Sequence, residues 1–253
     1  TSHQRGAETA MARLASGKRI NLSADDPAGV AIASRMNSEI RSTSQAIRNA
    51  LDGQALLDTA EGGHKEVENI LQRMREIAVQ AANDTNSAQD RDNLNAEMKA
   101  LTTEIDRISS VTSWAGQNLM GEGRSQFSFQ VGTSINAKSA ITVPINSMSA
   151  NTLSVDHAAV SVNGPEASRS AISAIDGAIT LVNSQRSMLG ATSNRLSYAV
   201  NNLTNISNNL TAALGRIQDA DYAAEITALA KHQILQKAAM AMLARANASK
   251  GYI

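Results

Sequence analysis

The chain has 253 residues, with 23 Lys and Arg against 23 Asp and Glu, and this neutral balance argues against a nucleic-acid binder, which needs a basic stripe. Aromatics make up 2% of the chain and prolines number three, so the 42% hydrophobic content is nearly all aliphatic, a composition suited to long helices rather than to a pocketed enzyme. Cysteine is absent, which excludes disulfides, thiol catalysis and thiolate metal sites. No run of about 18 apolar residues can span a membrane, and no basic segment leading into an apolar stretch opens the chain.

In chain order, Asp25-Asp26-Pro27 reads as an Asp cap followed by proline at the first helical position, the start of a long helix. Its apolar stripe runs through Met36, Ile40, Thr43, Ile47 and Ala50, and then, in another phase, through Val67, Ile70, Met74, Ile77 and Ala81. The phase slip between Leu51 and Ala60 is read as a stutter within one helix. Gly62-Gly63 costs that helix about 1 kcal/mol per glycine relative to alanine. The polar cluster Asn83-Asp84-Thr85-Asn86-Ser87 ends it, and Leu94, Met98, Leu101, Ile105 and Ile108 form the stripe of a second helix.

Beyond it the period changes to two. Gln126–Val131 and Ala140–Ile145 alternate as short strands, with Pro144 confining the second to an edge. Leu153 to Val162 reads as one more short strand before Asn163-Gly164-Pro165 turns the chain. A seam of spacing 3.5 follows through Ile172, Ile175, Ile179, Val182, Arg186, Leu189, Ser193, Leu196, Val200, Leu203, Ser207, Leu210, Leu214 and Ile217. At 1.5 Å per residue it predicts a helix about 70 Å long, lying antiparallel to the amino-terminal half. A further helical segment follows Arg216.

No catalytic constellation is present. The histidines (His3, His64, His157 and His232) are scattered. His64 and Glu68 stand at i, i+4, a spacing that can hold a metal ion but that also recurs on solvated helices, and no metal is assigned. Asp219, Asp221 and Glu225 read as solvation or packing residues. Gly121-Glu122-Gly123 lacks the third glycine of a dinucleotide loop, and Asp84-x-Asn86 lacks the glycine of a calcium loop. Sequons beginning at Asn202, Asn205 and Asn209 fall on the long helix and are read as incidental. The expectation is a non-enzyme without cofactors.

Leu14-Ala15-Ser16-Gly17-Lys18-Arg19-Ile20-Asn21, Asp25-Asp26-Pro27-Ala28-Gly29 and Leu71 to Asn83 resemble the amino-terminal signature of bacterial flagellins. Asn208-Asn209-Leu210-Thr211, Arg216 to Ala223, Gln233 to Ala238 and Ala246-Asn247 resemble their carboxy-terminal signature. The resemblance covers the chain except residues about 124 to 165. It implies a mainly α fold: a long antiparallel helical rod, a coiled-coil-like bundle, with a small β-hairpin insert. Residues 1–26 would be the end of the amino-terminal core segment and spoke, and 27–123 the amino-terminal helices of the rod. Residues 124–165 would be the β insert, 166–215 the carboxy-terminal long helix of the rod and 216–253 the carboxy-terminal core segment.

The resemblance further implies a structural subunit that self-associates into the extracellular bacterial flagellum for motility. Export would use the flagellar type III apparatus without a cleaved signal, with an export chaperone, the filament cap and other flagellin subunits as partners. Both ends look trimmed relative to the family, so this chain is expected to remain soluble and not to polymerise alone. Gln72, Arg73, Glu76, Ile77 and Glu97 match positions that engage a host Toll-like receptor in some flagellins. Packing within the filament is the primary expectation for them, with Met74 and Ile77 on the seam and Gln72, Arg73 and Glu76 exposed. The competing reading is a flagellin-like cell-surface protein that binds a polysaccharide or host receptor, with Trp114, Phe127 and Phe129 as its aromatic platform.

Overall fold

Asp26, Ser87 and Gly17 set the boundaries of three helices. The computed structural model describes residues 2–122, 126–134 and 136–250 and contains five helices. These are α1 (Ser2–Ser16), α2 (Pro27–Ala81), α3 (Ala88–Val111), α4 (Pro165–Gln218) and α5 (Tyr222–Lys250). Asp26 accepts the Gly29 N–H at 2.8 Å, capping α2 immediately before Pro27 as expected. Ser87 and Asp90 form a reciprocal capping box at the start of α3. Gly17, at φ +70°, ends α1 by donating its N–H to the Arg13 carbonyl at 2.8 Å, a left-handed cap that glycine adopts without strain.

The chain divides into two compact units, to both of which α2 and α4 contribute. One comprises Thr1–Ser44 with Thr204–Ile253. In it α1 packs on α5 through small residues: Ala7 and Ala10 are buried, and the His232 ring lies where a side chain on Gly6 would stand. Arg13 pairs with Glu225 at 2.8 Å, and the Tyr222 hydroxyl donates to the Leu14 carbonyl at 3.1 Å. The loop after α1 pairs with the loop after α4: Arg19 N–H donates to Gln218 O at 2.7 Å, and Ala220 N–H to Gly17 O at 3.0 Å.

The other unit, Gln45–Leu203, holds the main apolar core. Along α2 a buried row runs through Ala46, Ala50, Gly53, Leu57, Ala60, His64, Val67, Leu71, Met74, Ala78 and Ala81, with Leu56 and Ile77 buried beside it. The row steps by four and three without interruption, so α2 is one helix but its phase slip does not lie between Leu51 and Ala60. It lies before Ala46, where two successive three-residue steps run from partly buried Ile40 to Thr43 and on to Ala46. Along α4 the row Ile175, Val182, Leu189, Leu196 and Leu203 is buried as expected. The companion row is displaced by one residue, to Ala171, Ala178, Gln185 and Thr192, while Ile172, Ile179 and Val200 are only partly buried. Small side chains let the helices approach closely there, and the larger aliphatics flank the contact.

A column of polar contacts fixes the direction of α4 against α2. Gln54 donates to Ser197 at 2.7 Å, Glu61 and Glu68 both accept from Arg186, and Arg75 donates to Asp176 at 2.6 Å. The α2 partners are spaced by seven residues, and their α4 partners fall in number as they rise. The two segments are therefore antiparallel, in agreement with the sequence reading.

Strands β1 (Ser113–Trp114) and β2 (Gln117–Asn118) form a minimal hairpin, whereas β3 (Gln126–Gln130) and β4 (Ala140–Pro144) form the expected longer one. In the second, Phe127 pairs with Val143 and Phe129 with Ile141 on the inward face, and Ser128 and Thr142 point out. The Phe129 ring lies 3.0 Å from where a Gly53 Cβ would be, and Gln185 of α4 donates to the Pro144 carbonyl at 2.7 Å. The strand expected over Leu153 to Val162 is not formed. Leu153, Val155, Val160 and Val162 are buried, but Val155 N–H turns back to Ala150 O and Val160 N–H to Asp156 O, so the segment coils into turns over the core.

The adjacent glycines Gly62 and Gly63 of α2 differ. A Cβ on Gly62 meets nothing within 4 Å, whereas one on Gly63 would lie 2.5 Å from Met120 Cε. Gly62→Ala should raise unfolding free energy by about 1 kcal/mol, and Gly63→Ala should yield distinctly less because buried Met120 has to move. Urea titration of both variants checks this, and the reverse ranking refutes the packing.

Candidate functional site

The heptad that buries Met74 and Ile77 turns Gln72, Arg73 and Glu76 outward, and α3 brings Glu97 beside them. Arg73 donates from Nε and Nη2 to Glu97 Oε1, at 3.0 and 2.8 Å, and from Nη1 to Glu76 Oε2 at 3.0 Å. Its guanidinium thus bridges two helices, and the hydrogen bonds to Glu97 and then Glu76 hold its proton more firmly than usual. Gln72 donates to Glu68 at 3.4 Å. Four of the five expected residues therefore share one exposed, pre-ordered polar patch. Ile77 lies beneath it, fully buried.

A second polar group sits inside the seam. His64 is buried, and its Nδ1 lies 2.6 Å from the Ala60 carbonyl, which can only accept, so Nδ1 carries the proton. Its Nε2 and Glu61 Oε2 are buried without a hydrogen-bond partner. Burial holds the imidazole below its ordinary pKa, against the opposing pull of the Ala60 bond and Glu61. Glu68, four residues on, is engaged by Arg186. The His64/Glu68 spacing is therefore part of a packed helix interface, not of a solvated face. Among the described residues, no group of three His, Cys, Asp or Glu side chains is placed to hold a metal ion. The bridging role of Arg186 was not read from the sequence, although Glu61 and Glu68 at i, i+7 mark one helical face awaiting a cation.

The other candidates show no chemistry. Of the aromatic platform, Phe127 is buried and Phe129 and Trp114 pack on the core. An open groove of about 590 Å³ bounded by Gly121, Met148, Leu153, Leu181, Gln185 and Met188 has no titratable side chain in its lining. Gly123, the last residue of the Gly121-Glu122-Gly123 stretch, lies outside the described residues.

Long helices that bury heptad seams, with apolar side chains left exposed on α5, describe a helical rod-like chain with no catalytic constellation among the described residues. Residues 1–123 match the family model for the bacterial flagellin N-terminal helical region, and residues 172–251 that for the bacterial flagellin C-terminal helical region. The chain is 42% identical over 240 residues to a flagellin of Halalkalibacterium halodurans, covering 95% of this chain and 88% of that one. It is 37% identical over 249 residues to the flagellar filament 33 kDa core protein of Treponema phagedenis, covering 94% and 87%. It spans only 33% of flagellin A of Vibrio cholerae, at 47% identity over 126 residues. Among solved structures, Bacillus cereus flagellin aligns with a TM-score of 0.53 at 30% identity, covering 66% of this chain and 94% of that one. A putative flagellar hook-associated protein from Vibrio parahaemolyticus aligns with a TM-score of 0.66 at 16% identity, over 77% and 100%, a likeness of fold alone. The chain belongs to the bacterial flagellin family, a family of structural filament subunits and not of enzymes.

The buried imidazole gives stability a pH dependence. The unfolded chain takes up the proton near pH 6.5 and the folded one only at lower pH, so stability is fully present above about 6.5 and falls as pH drops from there towards the folded pKa, by up to about 1.4 kcal/mol per unit. Guanidinium melts of the native chain and of His64→Gln on either side of that pH should show the native chain losing more. Equal losses would show that His64 titrates normally.

Proposed function

We propose that this chain belongs to a subunit of the flagellar filament outside the cell, and that assembly of the filament buries the apolar side chains that α5 leaves exposed. The observation that carries this reading is α5 itself. Ile226, Ile234, Met240, Met242 and Leu243 are all more than half exposed, Met242 at 67%, on a helix that packs against α1. Apolar area of this kind stabilises association by about 25 cal/mol per Å² buried, summed over many copies. In this reading residues 1–26 and 216–253 supply the filament core, 27–123 and 166–215 the surrounding rod, and 124–165 the insert. Export by the flagellar type III apparatus, delivery by an export chaperone and addition beneath the filament cap complete it.

The test is electron microscopy, under polymerising conditions, of this chain and of the chain joined to the terminal segments of the Halalkalibacterium flagellin. Filaments from the joined chain that are lost on Ile234→Asp/Met242→Asp substitution are the expected result. Absence of filaments from the joined chain would overturn the reading.

The Arg73 patch is assigned to contacts between subunits and, where a host has the receptor, to Toll-like receptor recognition, with Gln72, Arg73, Glu76 and Glu97 at the surface and Ile77 supporting them from below. Arg73→Ala removes the bridge between Glu76 and Glu97 and should lower receptor signalling by the soluble chain without changing its helical spectrum. Unchanged signalling removes the receptor from the list of partners.

A further inference from the structure

Asn163-Gly164 is the only Asn-Gly pair in the sequence, and it lies where the chain leaves the core to enter α4. Val162 before it is buried, with its N–H donating to Asn95 Oδ1 at 3.2 Å. Ser168 after it donates from both its N–H and its hydroxyl to the Gly164 carbonyl, at 2.9 and 2.8 Å. Between these two fixed points Asn163 is exposed, and nothing stands within 4 Å of the position of a Cβ on Gly164. The Gly164 nitrogen thus has no side chain of its own to hinder approach to the Asn163 amide.

We propose that Asn163 is a site of spontaneous deamidation. The Gly164 nitrogen loses its proton to solvent base and attacks Asn163 Cγ. An N–Cγ bond forms, the Cγ–Nδ2 bond breaks, and ammonia leaves, closing a succinimide ring. Water then opens the ring at either carbonyl. Attack at Cγ yields aspartate, and attack at the main-chain carbonyl yields isoaspartate. The net change is one water consumed and one ammonia released, with no oxidant or reductant.

Other pairs in the chain show why this one is singled out. Asp52-Gly53 and Asp176-Gly177 are capable of the same ring closure, but both lie inside helices, and the Asp176 carboxylate is held by Arg75. Asn86-Ser87 is in a loop, yet the Ser87 N–H is occupied by Asp90 at 3.0 Å. The two products would also differ in effect. Aspartate places a carboxylate at the N-terminal end of α4, where the helix dipole favours it. Isoaspartate inserts a methylene into the main chain between Val162, tied to Asn95, and the first turn of α4, which works against that tie.

The test is incubation of the whole chain in mildly alkaline buffer, followed by peptide mapping with mass spectrometry and by labelling with an isoaspartyl methyltransferase. Gly164→Ala and a free peptide covering residues 160–168 serve as comparators. Conversion is expected at Asn163 in the folded chain, faster as pH rises and absent at Asp52 and Asp176. Gly164→Ala has neither a positive φ nor a steric conflict to prevent folding, and it should convert roughly tenfold or more slowly because its Cβ hinders ring closure. Conversion of the free peptide but not of the folded chain would overturn the proposal, as would equal rates for the native chain and Gly164→Ala.

Discussion

The rest of the larger unit depends on a single requirement, that a seam of spacing 3.5 along α2 stay buried from Ala46 to Ala81. With so few aromatics available, coverage comes from close approach rather than from bulk. The α4 row that faces it alternates large aliphatics with Ala171, Ala178, Gln185 and Thr192. Gly53 admits the Phe129 ring and Gly63 the Met120 thioether, so residues that weaken α2 as a helix strengthen it as a packing surface. The β hairpin and the coiled segment over Leu153 to Val162 close what the helices leave open.

Apolar seams alone leave direction and register weakly specified, and the polar column along α2 supplies both. Gln54, Glu61, Glu68 and Arg75 recur every seven residues and find partners only when α4 runs antiparallel at one axial position. Arg186 satisfies two carboxylates from a partly buried position, where mispairing would strand charge. Removing one of its partners is therefore a larger perturbation than removing an exposed pair such as Arg107–Glu104.

Much of this was legible in the residues. Asp26-Pro27, the polar cluster Asn83 to Ser87 and the alternating Phe127 and Phe129 are local signals whose chemistry acts within a few residues, and the structure follows them. The misplaced phase slip and the one-residue displacement of the α4 row share a cause: hydrophobicity marks the large residues, whereas the tightest contacts here are made by alanine, glycine, threonine and glutamine. The supposed strand near Val160 failed for a related reason, since buried aliphatics at close spacing suit turns over a core as well as they suit a strand. In the exposed patch, the outward placing of Arg73 followed from periodicity, but its bond to Glu97 depends on how α3 folds back. The Glu61–Arg186–Glu68 bridge joins residues more than 100 positions apart, beyond the reach of any local pattern.

The pairing of α1 with α5 also governs the order in which the molecule can fold. Tyr222 meets Leu14 across 208 positions, and closing a loop that long in an otherwise unstructured chain costs about 5 kcal/mol of entropy. Any structure formed in the intervening residues shortens the effective loop. The unit in which α1 packs on α5 therefore forms only once both helices are present, however early either of them folds.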